Sequence, residues 1–300
     1  MPLVSIVINV WNGAATLREA IDSALAQTLT DWEIVVWDDA STDSGAEIVR
    51  SFQDPRIRYF AAAEHGSLGT SRNHALACAH GDWIAFLDQD DVWLPGKLEQ
   101  QLALAETGVD LIFGRTITFD EKGRQWEYDH RHGDSLLPEG DIFEALFRDS
   151  CFIAMSSAMI RRTALERVGP IPDRYQVICD YFLFTAVARH GKARAVQDVI
   201  CRYRVHSGNM SPANRVRMHE EALKLLDDWA GDLDPELLDH RRRVHATVLA
   251  VGLMAQPGLS GSGFAYLWRE GSLTYLCSRA VALSYRTIRR HLAPRGRLAG

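Results

Sequence analysis

The chain is poor in cysteine, and its five thiols (Cys78, Cys151, Cys179, Cys201 and Cys277) stand far apart with no CxxC pair. That excludes a zinc knuckle and a disulfide framework, and it fits a reducing cytoplasm. A basic excess is also missing: 33 Lys and Arg against 39 Asp and Glu give a net charge of −6. Nucleic acid is therefore not an expected partner. Long apolar runs are absent too. The stretch 244–255 is too short to span a bilayer and contains His245. The N-terminus lacks the basic stretch of a signal peptide, so a cytoplasmic location is expected. There is no internal repeat and no low-complexity segment. At 47% hydrophobic and 24% charged residues, what is present is a globular chain long enough to bury a core without covalent staples.

The average charge hides an asymmetry. Residues 211–300 carry a balance of +4, which leaves −10 on residues 1–210. Beyond Glu270 there is no acidic residue, only six arginines: Arg279, Arg286, Arg289, Arg290, Arg295 and Arg297. Wound at about 100° per residue, Arg279, Arg286 and Arg290 fall within about 40° of arc, and Val281, Tyr285, Ile288 and Leu292 within about 60° on the opposite side. A basic amphipathic helix over 274–292 is expected, suited to peripheral contact with the anionic inner face of the cell membrane. The competing reading is a helix packed on the body of the protein.

Two periods alternate over the first hundred residues. Segments 4–10, 33–37, 57–60 and 83–87 are apolar runs of strand length. Segments 14–26, 46–52 and 67–79 have helical spacing, and Pro95 opens a further helix. Strands separated by such helices imply βαβ units and a largely parallel sheet. The pattern then loosens into a strand at 111–119, a polar loop at 120–140, a helix at 142–147 and a strand at 156–160. Helices at 162–168 and 180–190 and a strand at 193–204 follow. After a break near Pro212 everything reads as helix, at 213–229, 235–254, 264–277 and 278–291. The expected organisation is an α/β domain over 1–211, with halves 1–108 and 109–211, and a helical region over 212–300.

In open α/β sheets, ligands sit beyond the carboxyl ends of the strands. There this chain places Trp11-Asn12-Gly13, Asp38-Asp39 and Asp88-Gln89-Asp90-Asp91. A cleft lined by carboxylates repels phosphate unless a hard divalent cation bridges the two. The segments 4–13 (VSIVINVWNG), 36–43 (VWDDASTD), 66–73 (GSLGTSRN) and 86–93 (FLDQDDVW) come in that order. They are followed by 156–162 (SSAMIRR), 177–184 (VICDYFLF) and 202–211 (RYRVHSGNMS). Together they resemble the inverting family 2 of nucleotide-sugar glycosyltransferases, whose fold is called GT-A. Asn9, Trp11, Ala40 and Cys179 stand where the family pattern has Pro, Tyr, Gly and Glu.

The resemblance implies a GT-A fold: Rossmann-like α/β, with a mostly parallel mixed sheet flanked by helices, here with a C-terminal helical extension. It implies a divalent cation, Mn²⁺ or Mg²⁺, on Asp90, with Asp88 near the ribose or the metal's waters and His206 as a further ligand. Asp38 and Asp39 would hold the nucleobase and ribose of a nucleotide-diphosphate sugar, UDP or dTDP being favoured. Val10, Trp11, Asn12 and Gln89 complete the donor set. Arg72 would pair with a phosphate or with Asp38, and Arg204 would offset charge on the leaving diphosphate. Asp180 would take the proton of the acceptor hydroxyl during an inverting attack on C1. The helix dipole at its position lowers basicity, so placement rather than pKa would make it the base.

The activity so implied is sugar transfer to a hydroxyl of a glycan or lipid-linked acceptor, in cell-surface polysaccharide synthesis. Two other classes compete. A sugar nucleotidyltransferase needs a Gly-rich, basic first loop, which residues 11–15 do not provide. A non-catalytic glycosyltransferase-like binding subunit would share these motifs without turnover.

Overall fold

The β-branched run Val4–Val10 forms strand β1, whose alternate residues Val4, Ile6, Ile8 and Val10 all enter the core. They meet Leu17, Ala20, Ile21 and Ala24 of helix α1 (Leu17–Leu25), spaced to share one helix face. Full burial of each large aliphatic side chain contributes roughly 1.5–3 kcal/mol. Strands β2 (Trp32–Asp38) and β3 (Ile57–Ala61) add in parallel on one side of β1, and β4 (Trp83–Phe86) on the other. Helices α2 (Gly45–Ser51) and α3 (Leu68–Cys78) lie in the crossovers. This computed structural model describes residues 1–128, 135–206 and 214–254, and the chain divides into two compact units, Met1–Met210 and Ser211–Gly300.

The remainder of the first unit extends the same sheet. Strands β5 (Val92–Trp93), β6 (Val109–Asp120), β7 (Gln125–Glu127), β8 (Met159–Arg161) and β9 (Lys192–Val205) give the order β3-β2-β1-β4-β8-β6-β9-β5, with β7 beside β6. β8 runs antiparallel to both its neighbours, whereas β6 and β9 are parallel. Helices α4 (Lys97–Leu102), α5 (Phe143–Arg148), α6 (Arg162–Val168) and α7 (Cys179–Ala188) complete the unit. The α/β class with a mixed sheet is the one expected.

Two local expectations are corrected. Residues 156–160 do not form one strand: a 3₁₀ turn, Met155–Ser157, precedes β8. Ser157 Oγ donates to Ala154 O at 2.8 Å and Ser156 Oγ bonds to Asp91, so the serines compete with a ladder. The polar loop at 120–140 contains β7, because Gly123 (φ +74°) reverses the chain while its N–H donates to Asp120 O.

The second unit, by itself, contains α8 (Arg215–Asp228) and α9 (Pro235–Met254), with Leu225, Leu226, Leu249 and Ala250 buried. Asp234 Oδ1 accepts from the N–H groups of Glu236 and Leu237, capping the second helix. The expected helices at 264–277 and 278–291, and the basic segment 274–292, lie outside the described residues.

Candidate functional site

Parallel pairing brings the strand ends together. Val10 pairs with Asp38 in register, Asp39 N–H donates to Val10 O at 2.8 Å, and Leu87 N–H to Val7 O at 3.0 Å. The segments after β1, β2 and β4 therefore leave the sheet at one edge. Asn12, in the left-handed region at φ +49°, ties the first two: its N–H donates to Ser41 Oγ and its Oδ1 accepts from Thr42 N–H. Gln89 ties the first to the third, accepting from Trp11 N–H at 2.8 Å and donating to Trp11 O at 3.2 Å. A Cβ on Gly13 would fall 2.2 Å from Gln89 Oε1, so a larger residue there would displace the Gln89 amide from Trp11.

Asp38 and Asp39 are both buried. Asp38 accepts from Ser41 N–H at 2.8 Å and from the Tyr59 hydroxyl at 2.6 Å. Burial, reinforced by that carboxylate, pushes Tyr59 up to about 12, so it remains a donor. Asp39 accepts from Gly66 N–H at 3.1 Å and pairs with His65 Nδ1 at 2.7 Å. The His65 ring stacks on Trp11 with centroids 4.4 Å apart and planes 18° from parallel. Trp11 is 51% exposed, unusual for so large a ring outside a binding surface.

The carboxylate loop is held from below. Ser156 Oγ accepts from Asp88 N–H at 3.0 Å and donates to Asp91 at 2.5 Å. Asp91 is fully buried and also accepts from Arg204 N–H. Burial, then repulsion from Asp88 and Asp90, pushes its carboxyl well above the usual carboxylate range. Asp90 faces His206, with Nε2 2.8 Å from Oδ2, while Arg204 Nε donates to Asp90 O and the Arg204 guanidinium pairs with Glu19.

Asp180 lies in the first turn of α7, its Oδ1 accepting from Tyr181 N–H. Arg72, buried in α3, donates to Cys179 Sγ at 2.8 Å and to Asp88 Oδ1 at 3.2 Å, and its charge acts on Asp180. The expected alternative pairing of Arg72 with Asp38 is corrected: its turn of α3 faces α7 and the loop after β4. Burial raises the pKa of Asp88 and of Asp180, outweighing the opposing pull of Arg72. The expectation that the helix dipole leaves Asp180 a weak base is thus corrected as well, because desolvation dominates.

Asp88, Asp90 and Asp91 share one loop, with His206 and Arg204 beside Asp90 and Asp91, while Arg72 joins Asp88 to Cys179, the residue before Asp180. Trp11, Asn12, Asp38, Asp39 and Gln89 form an adjacent cluster, and Val10 contributes its backbone while its side chain is buried. Among the described residues no three His, Cys, Asp or Glu side chains form a group able to hold a metal. A carboxylate and an imidazole fit a hard cation that draws its other ligands from water and substrate phosphates. Sequence reasoning missed Tyr59, His65 and Ser156. It also missed Tyr128 and Tyr203, whose rings meet edge to face at 5.2 Å and whose pKa values are raised chiefly by burial, with further contributions from Cys151 at Tyr128 and from carboxylates including Asp91 and Asp180 at both. Tyr203 and Ser156 stand within segments that carried a resemblance, which was the available signal.

The family model described as Glycosyl transferase family 2 matches residues 5–169. A curated Escherichia coli protein named UDP-Glc:alpha-D-GlcNAc-diphosphoundecaprenol beta-1,3-glucosyltransferase WfaP is 32% identical over 219 residues, covering 72% of this chain and 82% of that one. Among solved structures, S. aureus TarS 1–349 in complex with UDP-GlcNAc aligns with a TM-score of 0.67 at 16% identity, over 86% of this chain and 77% of that one. This chain spans 46% of a longer TarS chain. The mannosyltransferase PcManGT from Pyrobaculum calidifontis, in complex with GDP-Man and Mn²⁺, aligns with a TM-score of 0.62 at 20% identity, over 95% and 80%. At such identities the two structures establish likeness of fold.

Proposed function

The chain belongs to glycosyl transferase family 2, and from that premise we propose that it moves a sugar from a nucleoside-diphosphate donor of the UDP or dTDP type to a hydroxyl of a glycan or lipid-linked acceptor, inverting C1. The observation that carries the reading is the pair of bonds from Arg72 to Asp88 Oδ1 and to Cys179 Sγ, which hold the first turn of α7, where Asp180 lies, against the Asp88–Asp90 loop. The names of the E. coli relative and of the TarS complex support a UDP-sugar donor, and the former supports a lipid-linked acceptor.

In this reading Trp11, Asp38 and Asp39 receive the nucleoside, since each carboxylate oxygen keeps lone pairs beyond its present bonds. Asp90 and His206 would hold a Mn²⁺ or Mg²⁺ ion, with Asp88 near the ribose or the ion's waters, and the bound ion would neutralise diphosphate charge; the Mn²⁺ complex of PcManGT supports this. Asp180, made more basic by burial, accepts the acceptor proton as the new C1–O bond forms. The C1–O bond to phosphate breaks on the opposite face, and its electron pair leaves with the diphosphate, beside Arg204. The reading extends to peripheral contact of residues 274–292 with the anionic inner face of the cell membrane.

Asp180→Asn tests it. Binding of nucleoside diphosphate with Mn²⁺ stays within about twofold, while kcat falls at least about a hundredfold, the usual size of a general-base effect. The acid-side decline of the wild-type rate is expected at a higher pH than the titration of an exposed aspartate, because burial raises Asp180. Near-normal turnover of the variant, or a product that keeps the donor's anomeric configuration, refutes the assignment.

A further inference from the structure

Lys97, the first residue of α4, is completely buried. An ammonium away from water is unfavourable without a partner, and this one has no carboxylate. Gln101 Oε1 accepts from Nζ at 2.6 Å, and Nζ lies 4.0 Å from the Trp93 ring centroid. Both neighbours reach the same place. Gln101 Nε2 donates to Ser157 O at 2.8 Å and to Ile112 O at 3.0 Å, and Trp93 Nε1 donates to Ser156 O at 2.7 Å. A cation on Gln101 Oε1 fixes which end of the amide points at those carbonyls, because an inverted amide would set its NH₂ against the ammonium. The same cation over the indole face fixes the ring plane.

We propose that Lys97 is a positioning residue that locks the Met155–Ser157 turn and, through Ser156, the Asp88–Asp91 loop in the geometry that binds the donor. The path is continuous: ammonium to Gln101 and Trp93, these to Ser156 and Ser157 carbonyls, and Ser156 Oγ to Asp88 N–H and the Asp91 carboxyl. The inference rests on the reading of that loop as the donor site. It also gives the loop a pH response distinct from that of Asp180. Burial pushes Lys97 down to about 7. Among ionisable groups on the packed elements, the Cys201 thiol of β9 acts on it, and burial keeps that thiol uncharged by raising its pKa. Glu99 of α4 accepts from Thr28 instead, and Asp110 of β6 pairs with Arg161 and Arg167. The ammonium is thus present below pH 7 and lost as pH rises through that value.

The test is calorimetric binding of UDP, dTDP and GDP in turn, each with Mn²⁺, to the full chain between about pH 6 and 8.5. Wild type is compared with Lys97→Met and with Trp93→Phe, which keeps a ring beneath the lysine but removes the bond to Ser156 O. Wild-type affinity is expected to fall about tenfold across that range. Lys97→Met is expected to be about tenfold weaker at pH 6, with a flat profile, and Trp93→Phe several-fold weaker with the slope retained; such changes match coupling of about 1.4 kcal/mol between touching groups. A Lys97→Met protein that melts earlier but binds with wild-type affinity and slope overturns the proposal, since stability alone would then be its role. If that variant does not fold, wild-type affinity in Trp93→Phe overturns it. Wild-type protein that binds none of the three nucleotides overturns the donor-site reading, and this inference with it.

Discussion

Ala40 occupies a backbone conformation that its side chain resists. Its φ is +58°, between the two buried acids and the Ser41 N–H that Asp38 accepts. A left-handed L-residue other than Asn or Asp costs about 1–2 kcal/mol, against about 0.5–1 kcal/mol of extra chain entropy for glycine. Ala40→Gly is therefore expected to stabilise the protein by about 1 kcal/mol, a rise in Tm of about 2–4 °C for a domain of this size. Thermal melts check this, with nucleotide affinity unchanged because the Asp38 bond is retained; a lower Tm would refute it. The strand-end acids are legible in the sequence because each follows directly on an apolar run of strand length. His65 and Tyr59 are not, since their partners Asp39 and Asp38 lie on another strand and meet them only once the register is set. For Arg72 the sequence offered two partners. It takes neither Asp38 nor any other side chain the sequence offered it, because its turn of α3 faces α7 and the loop after β4, where Cys179 and Asp88 accept from it.

At the scale of elements, long periodic segments were readable and short ones were not. β1 and α9 carry enough residues to display a period, whereas β5 has two residues and β8 three. Their positions follow from side-chain bonds such as those of Ser156. The helix pair of the second unit makes a prediction of its own. His219 Nδ1 and His245 Nδ1 are 2.9 Å apart, and Arg241 donates to His245 Nε2 at 3.2 Å. His245 Nε2 must then be bare, so its proton sits on Nδ1 and is donated to His219. Burial first, then Arg241 and His219, push the pKa of His245 down to about 3. The folded pKa lies below the unfolded value of about 6.5, so this contribution is complete above pH 6.5 and is lost as pH falls. Between pH 7.5 and 5 the loss is about 2 kcal/mol. Thermal melts of the full chain should show a lower Tm at pH 5, and His245→Leu should narrow the drop. Equal drops in both proteins would refute the tautomer argument.

For the whole molecule, charge separates the two ends of the chain. The first 210 residues carry −10 and the remainder +4, with six arginines and no acid after Glu270. No helix among the described residues is long and apolar enough to cross a membrane. For the lipid-linked acceptor proposed above, the basic end of the chain offers an electrostatic attraction to the surface. Each arginine close to an anionic leaflet contributes about 1 kcal/mol, an attraction screened beyond about 10 Å at 0.1 M salt. Six such residues can hold the chain at an anionic surface. Flotation with vesicles of phosphatidylglycerol and phosphatidylcholine, against phosphatidylcholine alone, measures this. Full-length protein should float with the anionic vesicles and lose that association at about 0.5 M salt, and protein lacking 271–300 should not float at either. Equal flotation with and without the segment would leave the basic end no part in recruitment.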